Sequence, residues 1–179
     1  MRVSAKIILN LLTFSRFPLT IMFCYMINLD FSLISLVIIY FFIVSTDFID
    51  GKIARKFNVS TKFGAMMDVL ADMFFITASL FTLYKNSYIY PNLLFIVIFK
   101  FVEFIYTSHR YRKSILLFDK FGRKLAVFFY ILPILIPLLK YHPIFDYKLN
   151  ILLIEIIVFV LTIFSTYIRI RIIIKKTPR

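Results

Sequence analysis

The sequence predicts an all-α integral membrane protein: a single domain over residues 1–179 with six transmembrane helices and both termini cytoplasmic. Three observations carry that expectation. Hydrophobic residues make up 61% of the chain and the mean hydropathy is +0.91, whereas a soluble domain is roughly 45–50% apolar. The apolar residues fall in runs of about 20, the length that crosses a bilayer as a helix. The basic residues, which give a formal charge of +13, cluster in the gaps between those runs. Such a charge alone suggests a nucleic-acid partner; its confinement to the gaps argues against one and for membrane topology.

Taken in order, the first span is predicted at about residues 8–28. Arg2 and Lys6 precede it as they would in a signal peptide. No small-x-small cleavage site follows and Arg16 interrupts the apolar run, so the segment reads as an uncleaved start. Asn10, Thr13 and Arg16 recur every three residues and share a helix face. An arginine inside a span is costly unless that face meets a polar cavity. The second span, about 31–50, ends in Asp47 and Asp50, and Gly51 directly after them reads as the end of that helix.

A basic loop over 51–63 follows, and a third helix opens near Gly64 and runs to about Tyr84. The fourth span, about 90–110, starts at Pro91, where a first-turn proline is tolerated. Lys100 and Glu103, three apart in its middle, read as a mutually neutralising pair. Pro133 and Pro137 predict a bend in the fifth span, about 122–140. The sixth, about 147–170, contains Glu155, for which the sequence offers no partner. Cys24 is the only cysteine; no disulfide within the chain is possible, and it reads as a small buried hydrophobe. His109 and His142, at helix ends, read as interfacial.

With the N-terminus inside, the inner segments hold 17 basic residues and the outer loops only Lys85, Lys140 and Lys148. The positive-inside rule favours that orientation. It places the acid-rich stretch at the cytoplasmic edge of what is expected to be a bacterial cell membrane.

That stretch, Asp47 to Asp72, contains four of the nine acidic residues and two of the three glycines. Four charged side chains at the centre of a bilayer would cost on the order of 10–14 kcal/mol, so they need cations or a wet cavity. Asp47 and Asp50 are three apart and share one helix face; Asp68 and Asp72 are four apart and share another. Two helices thus offer two pairs of hard oxygen donors, suited to Mg²⁺, Mn²⁺ or Ca²⁺ rather than Zn²⁺. Paired divalent ions on shared carboxylates are a known device of phosphoryl chemistry, and Lys52, Arg55, Lys56 and Lys62 would suit phosphate oxygens.

The spacing D-x-x-D-G-x-x-A-R-x8-G-x-x-x-D-x-x-x-D, carried by Asp47, Asp50, Gly51, Ala54, Arg55, Gly64, Asp68 and Asp72, resembles the signature of the CDP-alcohol phosphatidyltransferase family. A chance match of eight fixed positions is on the order of 10⁻⁸. The run NLLTFSRFP resembles the N-terminal segment of the phosphatidylglycerophosphate synthases within that family, although Pro18 arrives early. KFGRKLA, around Gly122, resembles their fifth-helix opening, with Arg123 in place of a lysine and Ala126 where a threonine is expected.

The resemblance implies a reaction in which an acceptor hydroxyl attacks the β-phosphorus of a CDP-linked lipid such as CDP-diacylglycerol and CMP leaves. It implies a two-metal site of Mg²⁺ or Mn²⁺ on Asp47, Asp50, Asp68 and Asp72, with Asp72 also the general base. Asp50, Gly51, Ala54, Arg55 and Gly64 would surround the CDP moiety. It further implies a homodimer. Arg110, Arg112, Lys113, Arg123 and Lys124 are candidates for a phosphate on the acceptor; topogenic charge and anionic-lipid contact explain them equally. Glycerol 3-phosphate is the expected acceptor, with inositol phosphate, serine or another alcohol as alternatives. From other classes, a cation transporter would place charge near the midplane and leaves Arg55 and the glycines unexplained. A non-enzymatic membrane scaffold has no need of the intact pattern.

Overall fold

A computed structural model describes residues 2–57, 62–110, 120–142, 144 and 146–176. Six helices occur among these residues: α1 Arg2–Asn28, α2 Leu33–Phe57, α3 Lys62–Lys85, α4 Pro91–Arg110, α5 Lys120–Tyr141 and α6 Tyr147–Lys176. No strand occurs among the described residues. Each helix contains a stretch long and apolar enough to cross a membrane, from 18 residues in α1 and α4 to 28 in α6. The expected six-helix, multi-pass membrane architecture is met among the described residues.

Three boundaries differ from the expectation, among them the end of α6, which runs to Lys176 rather than about 170. The N-terminal segment is continuous with the first span, so α1 starts at Arg2. More consequentially, α2 does not stop at Gly51 but continues to Phe57. None of the three glycines has a positive φ, so Gly51 is not a left-handed cap. The residues after it, Lys52, Ile53, Ala54, Arg55 and Lys56, are mostly good helix formers, and a helix tolerates one interior glycine at a cost of about 0.5–1 kcal/mol. Pro133 and Pro137 lie inside an uninterrupted α5. Each proline removes one rung of the ladder, the bonds that would reach the carbonyls of Phe129 and Pro133.

The chain falls into two compact units, Met1–Asn86 and Ser87–Arg179. In the first, α1 packs against both α2 and α3. Phe23, Ile27, Ile43, Phe75, Ile76 and Leu80 fill its interior, with Phe23 and Phe75 rings 5.7 Å apart and Phe17 and Phe74 rings 5.2 Å apart. The α1–α2 corner is closed by local chemistry. Asp30 takes a positive φ, its N–H meets the Ile27 carbonyl and the Phe31 N–H meets the Met26 carbonyl, an αL helix stop with aspartate in glycine's usual place. Ser32 then caps α2, its Oγ accepting from the Ser35 N–H at 3.4 Å. At the same end Asn86 donates to Asn28 Oδ1 at 2.7 Å, tying the ends of α3 and α1.

In the second unit α6 packs against α4 and α5, around Leu93, Val97, Phe129, Leu132, Ile136 and Val158. Lys100 and Glu103 do pair, and they recruit more than each other. Thr166 bridges them at 3.2 and 3.3 Å. Arg169, 1% exposed, donates to Thr107 Oγ1 at 2.6 Å and Ser108 Oγ at 2.9 Å and lies 3.8 Å from Glu103. Glu155 is buried beside the Tyr90 backbone, next to the first turn of α4. Large apolar side chains such as Ile34, Phe41, Phe95 and Phe159 remain exposed, as they can where lipid tails replace water. Cys24 is a free thiol, half-buried rather than fully enclosed.

Candidate active site

The first unit builds its polar centre from one residue of α1 and four of its neighbours. Arg16 has no exposed surface. Its Nη1 donates to Asp47 Oδ1 at 3.0 Å and to Asp72 Oδ1 at 2.7 Å; its Nη2 donates to Asp50 Oδ2 at 2.7 Å and to Asp68 Oδ1 at 3.0 Å. The three-residue spacing on α2 and the four-residue spacing on α3 turn both acids of each helix toward α1, as the helical period requires. No other acidic residue occurs in α1, α2 or α3. Thr13, one turn before Arg16, donates to Asp68 Oδ1 at 2.8 Å, and Thr20, one turn after, donates to the Arg16 carbonyl at 2.7 Å. The face of Thr13 and Arg16 therefore does meet a polar centre.

Burial is graded across the four acids. The Asp50 side chain is 6% exposed, against 33% for Asp72, 42% for Asp68 and 47% for Asp47. The cluster thus has a closed floor at Asp50 and an open side at the other three. Four carboxylates against one guanidinium leave three formal negative charges unmatched within the group, a surplus that attracts further cations.

The donor set, anionic oxygens without His or Cys, fits a hard divalent cation. Among the described residues, no three His, Cys, Asp or Glu side chains stand as a ready metal cage. The reason is visible: the carboxylates are spaced around a planar fork with N–O distances of 2.7–3.0 Å, whereas Mg²⁺ bonds oxygen at about 2.0–2.1 Å.

The remaining candidate residues are placed as follows. Gly51 follows Asp50 inside α2, Ala54 and Arg55 lie further along the same helix, and Gly64 precedes Asp68 by one turn of α3. Lys52 is exposed and lies over the Phe48 ring at 4.2 Å. Arg110 ends α4, while Arg123 and Lys124 are exposed in the first turns of α5. Arg112, Lys113 and part of the basic loop over 51–63 lie outside the described residues.

Two things were not visible in the sequence. The hydrogen bond from Thr13 to Asp68 crosses 55 positions; only the shared face with Arg16 hinted at it. Arg169, counted by sequence among the inner basic residues, is buried; the one available sign was Thr166 a turn before it on the same face.

Comparison with known proteins adds an independent line. A family model described as CDP-alcohol phosphatidyltransferase matches residues 6–169. The chain is 34% identical over 91 residues to a CDP-diacylglycerol–glycerol-3-phosphate 3-phosphatidyltransferase of Aquifex aeolicus (strain VF5), covering 50% of this chain and 51% of the relative. It is 48% identical over 42 residues to a protein of the same description from Rickettsia bellii (strain RML369-C), covering 24% of this chain and 23% of the relative. It is 49% identical over 49 residues to a CDP-diacylglycerol–inositol 3-phosphatidyltransferase of Drosophila melanogaster, covering 27% of this chain and 20% of the relative. The matched segments thus span about half the length of the Aquifex relative and less of the other two.

Proposed function

Because the chain belongs to the CDP-alcohol phosphatidyltransferase family, we propose that it moves a phosphatidyl group from a CDP-linked lipid, such as CDP-diacylglycerol, to an acceptor alcohol and releases CMP. One observation carries this reading: the acids of the family pattern, which are all the acids of three helices, meet at one point. A structural ion pair for Arg16 would need one or two carboxylates. Four in one place cost stability and are retained where charge is put to use.

In this reading Asp47, Asp50, Asp68 and Asp72 hold Mg²⁺ or Mn²⁺, as a two-metal site. Such ions offset the charge of the diphosphate and of the departing CMP. Asp50 is the fixed floor of the site, and Asp72, on its open side, takes the proton from the acceptor hydroxyl. That hydroxyl oxygen bonds to the β-phosphorus as the bond from phosphorus to the CMP oxygen breaks, and CMP leaves with the electron pair. Gly51, Ala54 and Gly64 leave room for the nucleotide to approach the backbone, and Arg55 pairs with its phosphates.

Glycerol 3-phosphate is the acceptor we favour, since two of the three relatives above carry it in their names. Inositol, named for the third, inositol phosphate and serine are the alternatives. Arg110, Arg112 and Arg123 are proposed to bind the acceptor's phosphate, on the chemistry of guanidinium alone. The distribution of basic residues supports a cytoplasmic site and cytoplasmic termini. A bacterial cell membrane as the location and a homodimer as the working unit belong to the same proposal, as does treating residues 1–179 as one domain.

The test is an acceptor screen. The purified chain, given CDP-diacylglycerol and Mg²⁺ or Mn²⁺, is expected to release CMP with glycerol 3-phosphate faster than with inositol, inositol phosphate or serine. Release with a different acceptor would reassign the substrate. No release with any of them would favour a non-enzymatic membrane protein.

A further inference from the structure

We propose that Arg16 is a resident counter-cation of the carboxylate site, which holds the four aspartates together when no divalent ion is bound and is expelled from their oxygens when one enters. The inference rests on the reading of this site as a divalent-cation centre.

The geometry makes the two occupants alternatives. Both terminal nitrogens of Arg16 are engaged, each by two carboxylates, one from α2 and one from α3. All four aspartates expected to bind metal therefore already give an oxygen to the same guanidinium. Oxygens bound to one Mg²⁺ at about 2.0–2.1 Å lie roughly 3–4 Å from one another. Oxygens set around both arms of a guanidinium fork at 2.7–3.0 Å are spread over a wider shape. A divalent ion at the centre of the group would also stand beside a fixed positive charge in a buried place, where like charges repel strongly. Arg16 has no exposed surface, so no water screens its charge from an ion bound among the same oxygens.

The same contacts explain why an arginine stands here at all. Four carboxylates drawn together without a cation repel one another and would push α2 and α3 away from α1. A planar fork with fixed donors can serve two acids on each arm, which a lysine's single ammonium cannot do in the same geometry. Arg16 thereby preserves the fold of the site at the cost of competing with its metal.

The experiment is a substrate-free titration of the purified full chain with Mn²⁺, following the free-ion signal by electron paramagnetic resonance. Arg16→Gln removes the competitor and is expected to bind Mn²⁺ about tenfold more tightly than wild type, or better; tenfold corresponds to about 1.4 kcal/mol. In EDTA the same variant should melt at a lower temperature than wild type, and Mn²⁺ should raise its melting temperature by more. Should Arg16→Gln not survive purification, Arg16→Lys reads the same sign, because its ammonium cannot span all four acids: tighter binding supports the proposal.

Equal or weaker Mn²⁺ binding in the variant would overturn the proposal, and would make Arg16 an organiser rather than a competitor, with the metal reading intact. No Mn²⁺ binding in wild type or in either variant would overturn both. Binding in a variant but not in wild type would support the proposal in its strongest form.

Discussion

Asp50 and Asp72 carry the same functional group in unlike surroundings, 6% and 33% exposed at the side chain, though both touch Arg16 at 2.7 Å. A closed carboxylate suits a permanent ligand; one open on its free side suits a base that must meet an incoming hydroxyl. Asp72→Asn is therefore expected to lower CMP release by about 10²–10⁴-fold, the range of general-base contributions, while cytidine-nucleotide binding survives; full activity in that variant would remove Asp72 from the role. Thr13→Val should cost about 1.5–3 kcal/mol, the worth of a hydrogen bond to a charged group, read as a lower melting temperature of the first unit. Among single residues, the four acids were legible as a group because they occupy fixed spacings within one stretch. The pairing of Arg16 with them was not. Its contacts cross 31 to 56 positions, and no local pattern encodes which distant side chain an intramembrane arginine will meet.

At the level of elements, the course of α2 bears on the role proposed for Gly51. Glycine after an apolar run reads as a stop, and the helix nevertheless passes through it to Phe57. A residue that neither caps nor turns the chain fits the proposed role, in which the nucleotide comes close to the helix surface. Gly51→Leu should then leave thermal stability unchanged or slightly raised, since leucine is the better helix former, yet weaken cytidine-nucleotide binding by at least about tenfold, a loss of roughly 1.4 kcal/mol. Loss of stability with unchanged nucleotide affinity would return Gly51 to a packing role. On α6, Arg169 ties that helix to Thr107 and Ser108 of α4. Arg169→Met leaves Glu103 paired with Lys100 but takes the donor from Thr107 and Ser108, and should destabilise the protein by about 1–3 kcal/mol, the cost of leaving buried polar groups unsatisfied, seen as a fall in melting temperature. The six spans were legible because each is a run of bilayer length; their ends were less so, because helix-forming polar residues let α1, α2 and α6 continue past the apolar core.

For the whole molecule, composition decided membrane residence, and the residues of the family pattern all lie within one compact unit, Met1–Asn86. The proposed orientation rests on the placement of basic residues. In a Cys24→Ser background, a cysteine placed at Ser87, exposed in the α3–α4 turn, should react with a membrane-impermeant maleimide added outside cells. One placed at Lys52 should react only after the membrane is opened; the reverse pattern would invert the topology. The most direct test of the account as a whole is CMP release from CDP-diacylglycerol by the purified chain, with Mn²⁺ and with EDTA, in wild type and in Asp50→Asn. Metal-dependent release in wild type and a loss of at least about 10³-fold in the variant is the expected result. Release that ignores both the chelator and the substitution would show that the carboxylate cluster on Arg16 is not where this protein works.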